Sequence, residues 1–346
     1  MSPHIQELLN GKTDKIDYNS LIKKHPWIIE EKRKCILSPD SDGFLCGLCM
    51  SHYLNWEIIG YYDGKIMLLK DGETCDDAVF LDMEIARPSI KSFGHHMLLY
   101  NNTHKPRGWD STFKNCIQPN NIRNYDCSHT FRLKYPYGTI HMLLGILGSQ
   151  FKISLPDSAI APLLFVDGTF NVLYRYPENC LNWHNYLNFA DKNNPVRVLF
   201  ESNLTMYQTL KLMDAFFRER DTLNVPGERG DKFKISNSDG RPHNIYETGN
   251  KKYAIFDSTR EKKEQFIDML CALVGWKYIS TSWCWEDFNL YKFTKSNFLA
   301  GGCRSVTIEN FDSFFMKNPL SWAVTANNQL EYTLETPDKL PITRAE

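Results

Sequence analysis

Short apolar runs that end abruptly in an aspartate set the tightest limit on what this chain can fold into. Ala78-Val-Phe-Leu-Asp82 is one such run, and Ile160 to Asp167 reads as another. An unbroken apolar stretch of this length, with no polar alternation, is the signature of a strand covered on both faces. Lys34-Cys-Ile-Leu37, Trp56 to Tyr62 and Lys65 to Leu69 read as further strands, while Gly43 to Leu54 and Gly138 to Leu147 read as helices. Strands alternating with helices predict an α/β fold built on a mostly parallel sheet. Ligands of such sheets bind beyond the carboxyl ends of the strands. An aspartate that closes a strand therefore stands where chemistry is done.

The remaining sequence divides around this core. Residues 1–34 are polar and read as a helical N-terminal extension, and residues 35–195 carry the strand–helix rhythm. Leu204, Tyr207, Leu210, Met213 and Phe217 recur at helical spacing, so 203–220 reads as a helix within a connecting segment at 196–230. Pro226 to Gly249 is rich in Gly and Pro and reads as a loop. Tyr253 to Phe256 then reads as a strand, Glu261 to Val274 as a helix, and Lys277 to Phe293 as one or two strands. Residues 231–346 are thus expected to form a smaller α+β domain. A length of 346 residues suits about two domains.

Charge and cysteine content exclude several classes. The formal net charge is −1, so a protein that grips duplex nucleic acid over its whole surface is not expected. Lys251-Lys252 and Arg260 to Lys263 are only short basic stretches. Aromatic residues make up 13% of the chain, which fits either base stacking or an aromatic-rich core. No apolar run is long enough for a transmembrane helix and no leader-like apolar segment opens the chain, so a cytoplasmic protein without a membrane partner is expected. The ten cysteines are then expected to be free. Cys46 and Cys49, followed by His52, lack the second pair of a zinc site and read as buried helix residues. There is no Walker A loop, no Gly-x-Ser-x-Gly elbow and no dinucleotide fingerprint.

Four short motifs carry the chemistry. Ser38-Pro-Asp40-Ser-Asp42-Gly43 follows a strand and precedes a helix. Its two carboxylates can converge on a hard cation, or the turn can simply cap the helix. Asp82 closes its strand. Phe93-Gly94-His95-His96 supplies adjacent imidazoles, suited to Mn, Zn or Fe. Asp167-Gly168 again follows an apolar run.

The order Asp-x-Asp, Asp, His-His, Asp over residues 35–175 resembles the DHH (Asp-His-His) phosphoesterase superfamily. That group includes RecJ-type exonucleases, nano-RNases, cyclic-dinucleotide phosphodiesterases and family II pyrophosphatases. The resemblance implies two Mn²⁺ or Mg²⁺ ions held by Asp40, Asp42, Asp82, His95 and Asp167, with His96 as a ligand or touching the scissile phosphate. Ser128 and Lys134 to Thr139 resemble the segment that follows the histidine pair. Ala300-Gly301-Gly302-Cys-Arg304-Ser305 resembles the phosphate-binding segment of a DHH-associated C-terminal domain. Gly301, Gly302, Arg304 and Ser305 would bind substrate there, and His96, Asp82 and Arg304 would act in catalysis. Two positions depart from the pattern. Cys35-Ile-Leu-Ser38 stands where a histidine precedes the first Asp, and Gly94 stands in place of the signature Asp; Glu84 or Asp77 could compensate for the latter.

What the resemblance implies is a metal-dependent hydrolase of phosphodiesters. The first expectation is an exonuclease on single-stranded DNA or RNA. A nano-RNase or cyclic-dinucleotide phosphodiesterase acting on short oligonucleotides stands beside it. The alternative from another class is an inactive nucleic-acid-binding or assembly subunit that keeps the fold. A homo-oligomer or a nucleic-acid-processing partner is compatible with each.

Overall fold

In the computed structural model, residues 3–223, 232–297, 307–326 and 329–333 are described. The large sheet is built from β1 (Lys34–Leu37), β2 (Glu57–Tyr62), β3 (Ile66–Lys70), β4 (Ala78–Leu81), β5 (Lys91–Phe93), β6 (Cys116–Ile117), β7 (Ile245–Gly249), β8 (Lys252–Ile255) and β9 (Phe288–Lys292). Its order is β6-β5-β4-β1-β2-β3-β9-β8-β7. The half from β6 to β2 is parallel. The half from β2 to β7 is antiparallel. The fold is therefore α/β with a mixed sheet, and strands from residues 245–292 extend the sheet begun by β1. A second sheet, in the order β10-β12-β11, comprises β10 (Lys295–Asn297), β11 (Ser321–Ala326) and β12 (Gln329–Thr333).

The apolar strands are buried on both faces, with successive side chains pointing to opposite sides. Cys35 and Leu37 join the larger core cluster, and Ile36 between them joins the smaller one. Val79 and Leu81 face the same way as Cys35, and Ala78 and Phe80 the other way. The larger cluster is closed by the helices Ser41–Leu54 and Thr139–Gly148, which pack on each other, and by Asp257–Val274. On the other face Leu320 joins the smaller cluster, and the Tyr62 hydroxyl meets Ser321 Oγ at 3.1 Å and Thr333 Oγ1 at 3.2 Å. The parallel strands β1 and β2 are joined through the crossover helix Ser41–Leu54, whereas β2 turns directly into antiparallel β3. Asp63 makes that tight turn: its Oδ1 accepts from the backbone N–H of Lys65 and Ile66.

One expected strand is a helix. Ile160 to Phe165 is helical and runs into a 3-10 turn at Val166–Gly168. A short continuous apolar run does not fix its own period. Here all six helical residues are buried against the helices Val198–Glu201, Met206–Thr222 and Asp257–Val274. A helix enclosed on every side shows no polar face to betray it. Other readings agree with the structure. The N-terminal residues form helices Pro3–Leu9 and Tyr18–Lys24, and Met206–Thr222 begins with a capping box between Thr205 and Gln208. Of the expected loop Pro226–Gly249, residues 226–231 lie outside the described residues, and the last five residues are β7. Cys46 and Cys49 are fully buried in their helix, and free.

The loop from β1 into its helix is the tightest element. A Cβ on Gly43 would lie 2.0 Å from the Ser38 carbonyl oxygen, a backbone atom that cannot swing away. Gly43→Ala is expected to destabilise the protein by about 3 kcal/mol, the upper range for forcing a methyl into a packed site. Urea unfolding of the variant beside wild type measures it.

Candidate metal centre

The sheet order places the aspartates and histidines singled out by sequence at one rim. β5, β4 and β1 are adjacent and parallel, so their carboxyl ends align. Asp40 and Asp42 follow β1, Asp82 follows β4, and His95 and His96 follow β5. Asp167 arrives from the 3-10 turn behind them. Asp82 and Asp167 both adopt left-handed backbone angles, φ 62° and 50°. Such angles are costly for residues other than glycine and cluster at functional sites.

The two members of the Asp-x-Asp motif do different work. Asp40 is the N-cap of Ser41–Leu54: Oδ1 accepts from Gly43 N–H at 3.1 Å and Oδ2 from the Ser38 hydroxyl at 2.9 Å. Asp42 lies within the first turn of the same helix and reaches a second one. Its oxygens accept from Thr139 N–H at 2.6 Å and Ile140 N–H at 2.9 Å, the amino end of Thr139–Gly148. Exposed amides at a helix start favour an anion there. Gly138 permits the approach, since a Cβ on it would lie 2.8 Å from Asp42 Oδ2.

Asp82, His95, His96 and Asp167 each present a ligand atom within 4.8 Å of one another. His95 Nδ1 is 3.6 Å from Asp82 Oδ1, and His95 Nε2 is 3.3 Å from Asp167 Oδ2. His96 Nδ1 is 4.0 Å from Asp82 Oδ1, and Asp42 Oδ2 lies 4.0 Å from His95 Nδ1. Thr139, fully buried, organises this group. Its hydroxyl donates to Asp82 Oδ1 at 2.7 Å and sits 2.8 Å from His95 Nδ1. A hydroxyl has one proton to give. Asp82 Oδ1 accepts that proton whether or not Oδ2 carries one of its own, so His95 Nδ1 must donate and Nε2 must carry the lone pair. That lone pair points at an Asp167 oxygen, which also accepts. The arrangement is complete only with a proton or cation between them. Asp82 Oδ2 is likewise buried with no hydrogen-bond partner, the kind of atom that otherwise costs stability. These acceptors could hold a metal ion.

The electrostatics point the same way. Burial, then the charges of Asp42, Asp40 and Asp167, push the Asp82 carboxyl well above the usual carboxylate range. Burial also raises Asp42, against the pull of its hydrogen bonds to Asp167, Ile140 and Thr139. Burial, then the positive charges of His96, Lys134 and His141, hold His95 well below the ordinary histidine value, so its ring is neutral and able to ligate.

A cavity of about 710 Å³ opens beside the cluster. Asp40, Asp82 and His96 form one wall, Trp322 and Tyr332 another, and Lys65, Lys232 and Lys234 bring positive charge. His95 is buried, whereas His96 is partly open to this space. Lys65 comes from the turn between β2 and β3, whereas Lys232 and Lys234 arrive on a segment that clips onto the loop after β1. Phe233 N–H donates to the Pro39 carbonyl at 2.8 Å, and the backbones of Lys232 and Asp40 pair in an antiparallel β-bridge.

Sequence reasoning named the carboxylates and histidines but missed Thr139's bridging role, Lys65, Lys232 and Lys234. A signal for the last two exists: Lys232-Phe-Lys-Ile-Ser236 alternates polar and apolar, and its apolar members Phe233 and Ile235 are buried. Ser128 does not join the centre; it is exposed, and its hydroxyl bonds to the Tyr100 carbonyl. Lys134 donates to the Val324 carbonyl at 2.7 Å. Gly301, Gly302, Arg304 and Ser305 lie outside the described residues.

A carboxyl raised in the folded state keeps its proton above the range where the unfolded chain loses it. Stability then falls as pH rises through that interval, because the folded state holds the extra proton. Metal-free Asp82→Asn is therefore expected to lose less stability than wild type as pH rises above the ordinary carboxylate range. Mn²⁺ at about a hundred times its dissociation constant should stabilise wild type by about 2.7 kcal/mol and leave Asp82→Asn unmoved. Thermal unfolding across pH, with and without Mn²⁺, reads both effects.

No protein-family model matches this sequence, no curated protein matches it, and no solved structure matches its fold.

Proposed function

We propose that the chain is a divalent-metal-dependent phosphoesterase of the DHH type that hydrolyses phosphodiesters of nucleic acid. The observation that carries this reading is the convergence of Asp82, His95, His96 and Asp167 within 4.8 Å, at the carboxyl ends of adjacent parallel strands. Asp82, His95 and Asp167 would hold the ions, with Asp40 and Asp42 on the β1 side. Two such ions, when bound, lower the pKa of a water and neutralise charge on the phosphoryl oxygens. The protein's own groups do the rest. Thr139 holds His95 in the tautomer whose Nε2 is free to ligate. Asp42 anchors the site to the Thr139–Gly148 helix. His96, on the cavity wall, is placed to hydrogen-bond a phosphoryl oxygen. Lys232 and Lys234 supply positive charge for the flanking phosphate.

A single-strand exonuclease remains the first substrate proposal, on the motif resemblance. The cavity favours a second one. A space of about 710 Å³ falls within the range of pockets that enclose a small ligand, so a short oligonucleotide or a cyclic dinucleotide fits it better than a long strand. Wild type with Mn²⁺ is expected to cleave one of three probes: labelled single-stranded DNA, a short RNA or a cyclic dinucleotide. Asp82→Ala should be inactive on all of them. Mn²⁺-dependent turnover by Asp82→Ala at the wild-type rate refutes the assignment, and an inactive, Mn²⁺-free wild type supports the binding-subunit alternative.

Lys232→Ala/Lys234→Ala is expected to raise KM by about tenfold or more, as for lost hydrogen bonds to a charged group. Mn²⁺ affinity should not change. Steady-state kinetics beside calorimetric Mn²⁺ titration separates the two effects.

A further inference from the structure

The loop that carries the histidine pair is gripped from several sides. Gly94 N–H donates to the Ile117 carbonyl at 3.3 Å, and Asn120 Nδ2 reaches the carbonyls of His95 at 3.3 Å and Met97 at 3.2 Å. Gln118 also donates to the Met97 carbonyl. Val324 N–H, from β11, donates to the His96 carbonyl at 3.0 Å. The remaining contact is a carboxylate. Glu84 is 3% exposed, and its Oε1 accepts from Met97 N–H at 2.9 Å. The amide of His96 and the side chains of Gln118 and Lys134 also act on this carboxyl.

The space Glu84 fills belongs to position 94. A Cβ on Gly94 would lie 2.8 Å from Met83 C and N, and 2.9 Å from Glu84 Cδ. A side chain at 94 and a carboxyl in Glu84's place therefore exclude each other. The residue before the histidine pair has no side chain, and a carboxylate two residues beyond Asp82 occupies the vacated volume. Burial of an acid is costly unless its oxygens are engaged. Here one is engaged by the backbone of the very loop that carries the ligands.

We infer that Glu84 is the positioning residue for the His95–His96 pair, reaching through space to the loop where Gly94 has no side chain. It touches no ligand atom. It fixes the backbone from which both rings project, and so the approach of His95 to Thr139 and Asp167. The inference rests on the metal-centre reading, so its test needs a readout that survives if that reading fails.

Three variants decide it. Glu84→Ala removes the acceptor, Glu84→Gln keeps the size and an oxygen acceptor without the charge, and Asp82→Ala serves as the ligand-loss control. The first readout is Mn²⁺ affinity by calorimetry. Glu84→Ala is expected to bind about 10- to 100-fold more weakly, as for removal of a group that orients a metal ligand. Glu84→Gln should stay within about threefold of wild type, because its amide oxygen can still accept from Met97 N–H. The second readout is the ¹⁵N spectrum of His95 in the metal-free protein, which reports its tautomer. Wild type and Glu84→Gln should show the Nδ1–H form, and Glu84→Ala a mixture.

Wild-type Mn²⁺ affinity and an unchanged His95 tautomer in Glu84→Ala overturn the inference. So does a Glu84→Gln protein as impaired as Glu84→Ala, since the charge and not the placement would then matter. If wild type binds no Mn²⁺, the metal reading falls, and the tautomer spectrum alone decides the role of Glu84. If Asp82→Ala loses Mn²⁺ while Glu84→Ala keeps it, only the role of Glu84 falls.

Discussion

A single hydroxyl ties the centre together. Thr139 Oγ1 bonds Asp82 and His95 at once, and the amide of the same residue bonds Asp42. One residue at the start of one helix thereby connects groups that follow β1, β4 and β5. Because a hydroxyl has one proton, the bond to Asp82 dictates the direction of the bond to His95, and so the nitrogen that is left bare. The ligand geometry is a consequence of that proton count. Helix Thr139–Gly148 can hold this place because it packs on Ser41–Leu54, the crossover that makes β1 and β2 parallel.

Concentrating buried carboxyls at one rim works against the folded state until something positive joins them. Asp42, Asp82 and Asp167 sit near one another with few compensating cations, and His95 is held neutral by its surroundings. The fold tolerates this because most of the remaining polar capacity is spent well. Asp42 faces a helix start, Asp40 caps its own helix, and in the loop of the histidine pair the amides of Gly94 and Met97 and the carbonyls of His95, His96 and Met97 are bonded. The uncompensated remainder is small and local: one oxygen of Asp82, and the facing acceptors of His95 and Asp167. Stability surrendered at a site and recovered elsewhere is the usual relation between a scaffold and its chemistry.

The segment around Lys232 and the second sheet turn an exposed rim into a chamber. Phe233 and Ile235 anchor the segment in the core, while its lysines stay on the cavity side. β11 bonds the His96 backbone from the opposite wall. β11 thus both walls the space and holds the loop of the histidine pair, which couples the shape of the cavity to the placement of the rings.

The local sequence was sufficient for the strands β1, β2, β3 and β4, for the crossover helix, and for the aspartates and histidines that converge. Each of these depends on side-chain chemistry and on a periodicity that spans a few residues. The helix at Ile160–Phe165 was not legible, because complete burial erases the polar face that marks a helix. Nor were the bridging by Thr139, the choice of Glu84 over Asp77 to fill the space at Gly94, or the delivery of Lys232 and Lys234 to the cavity beside Asp40. Those contacts join residues far apart in the chain or on different elements. They exist only once strand order sets β5, β4 and β1 side by side and packing brings the later segments across their ends. Amino-acid identity chose the chemistry available; tertiary pairing decided which groups meet and which atoms remain free.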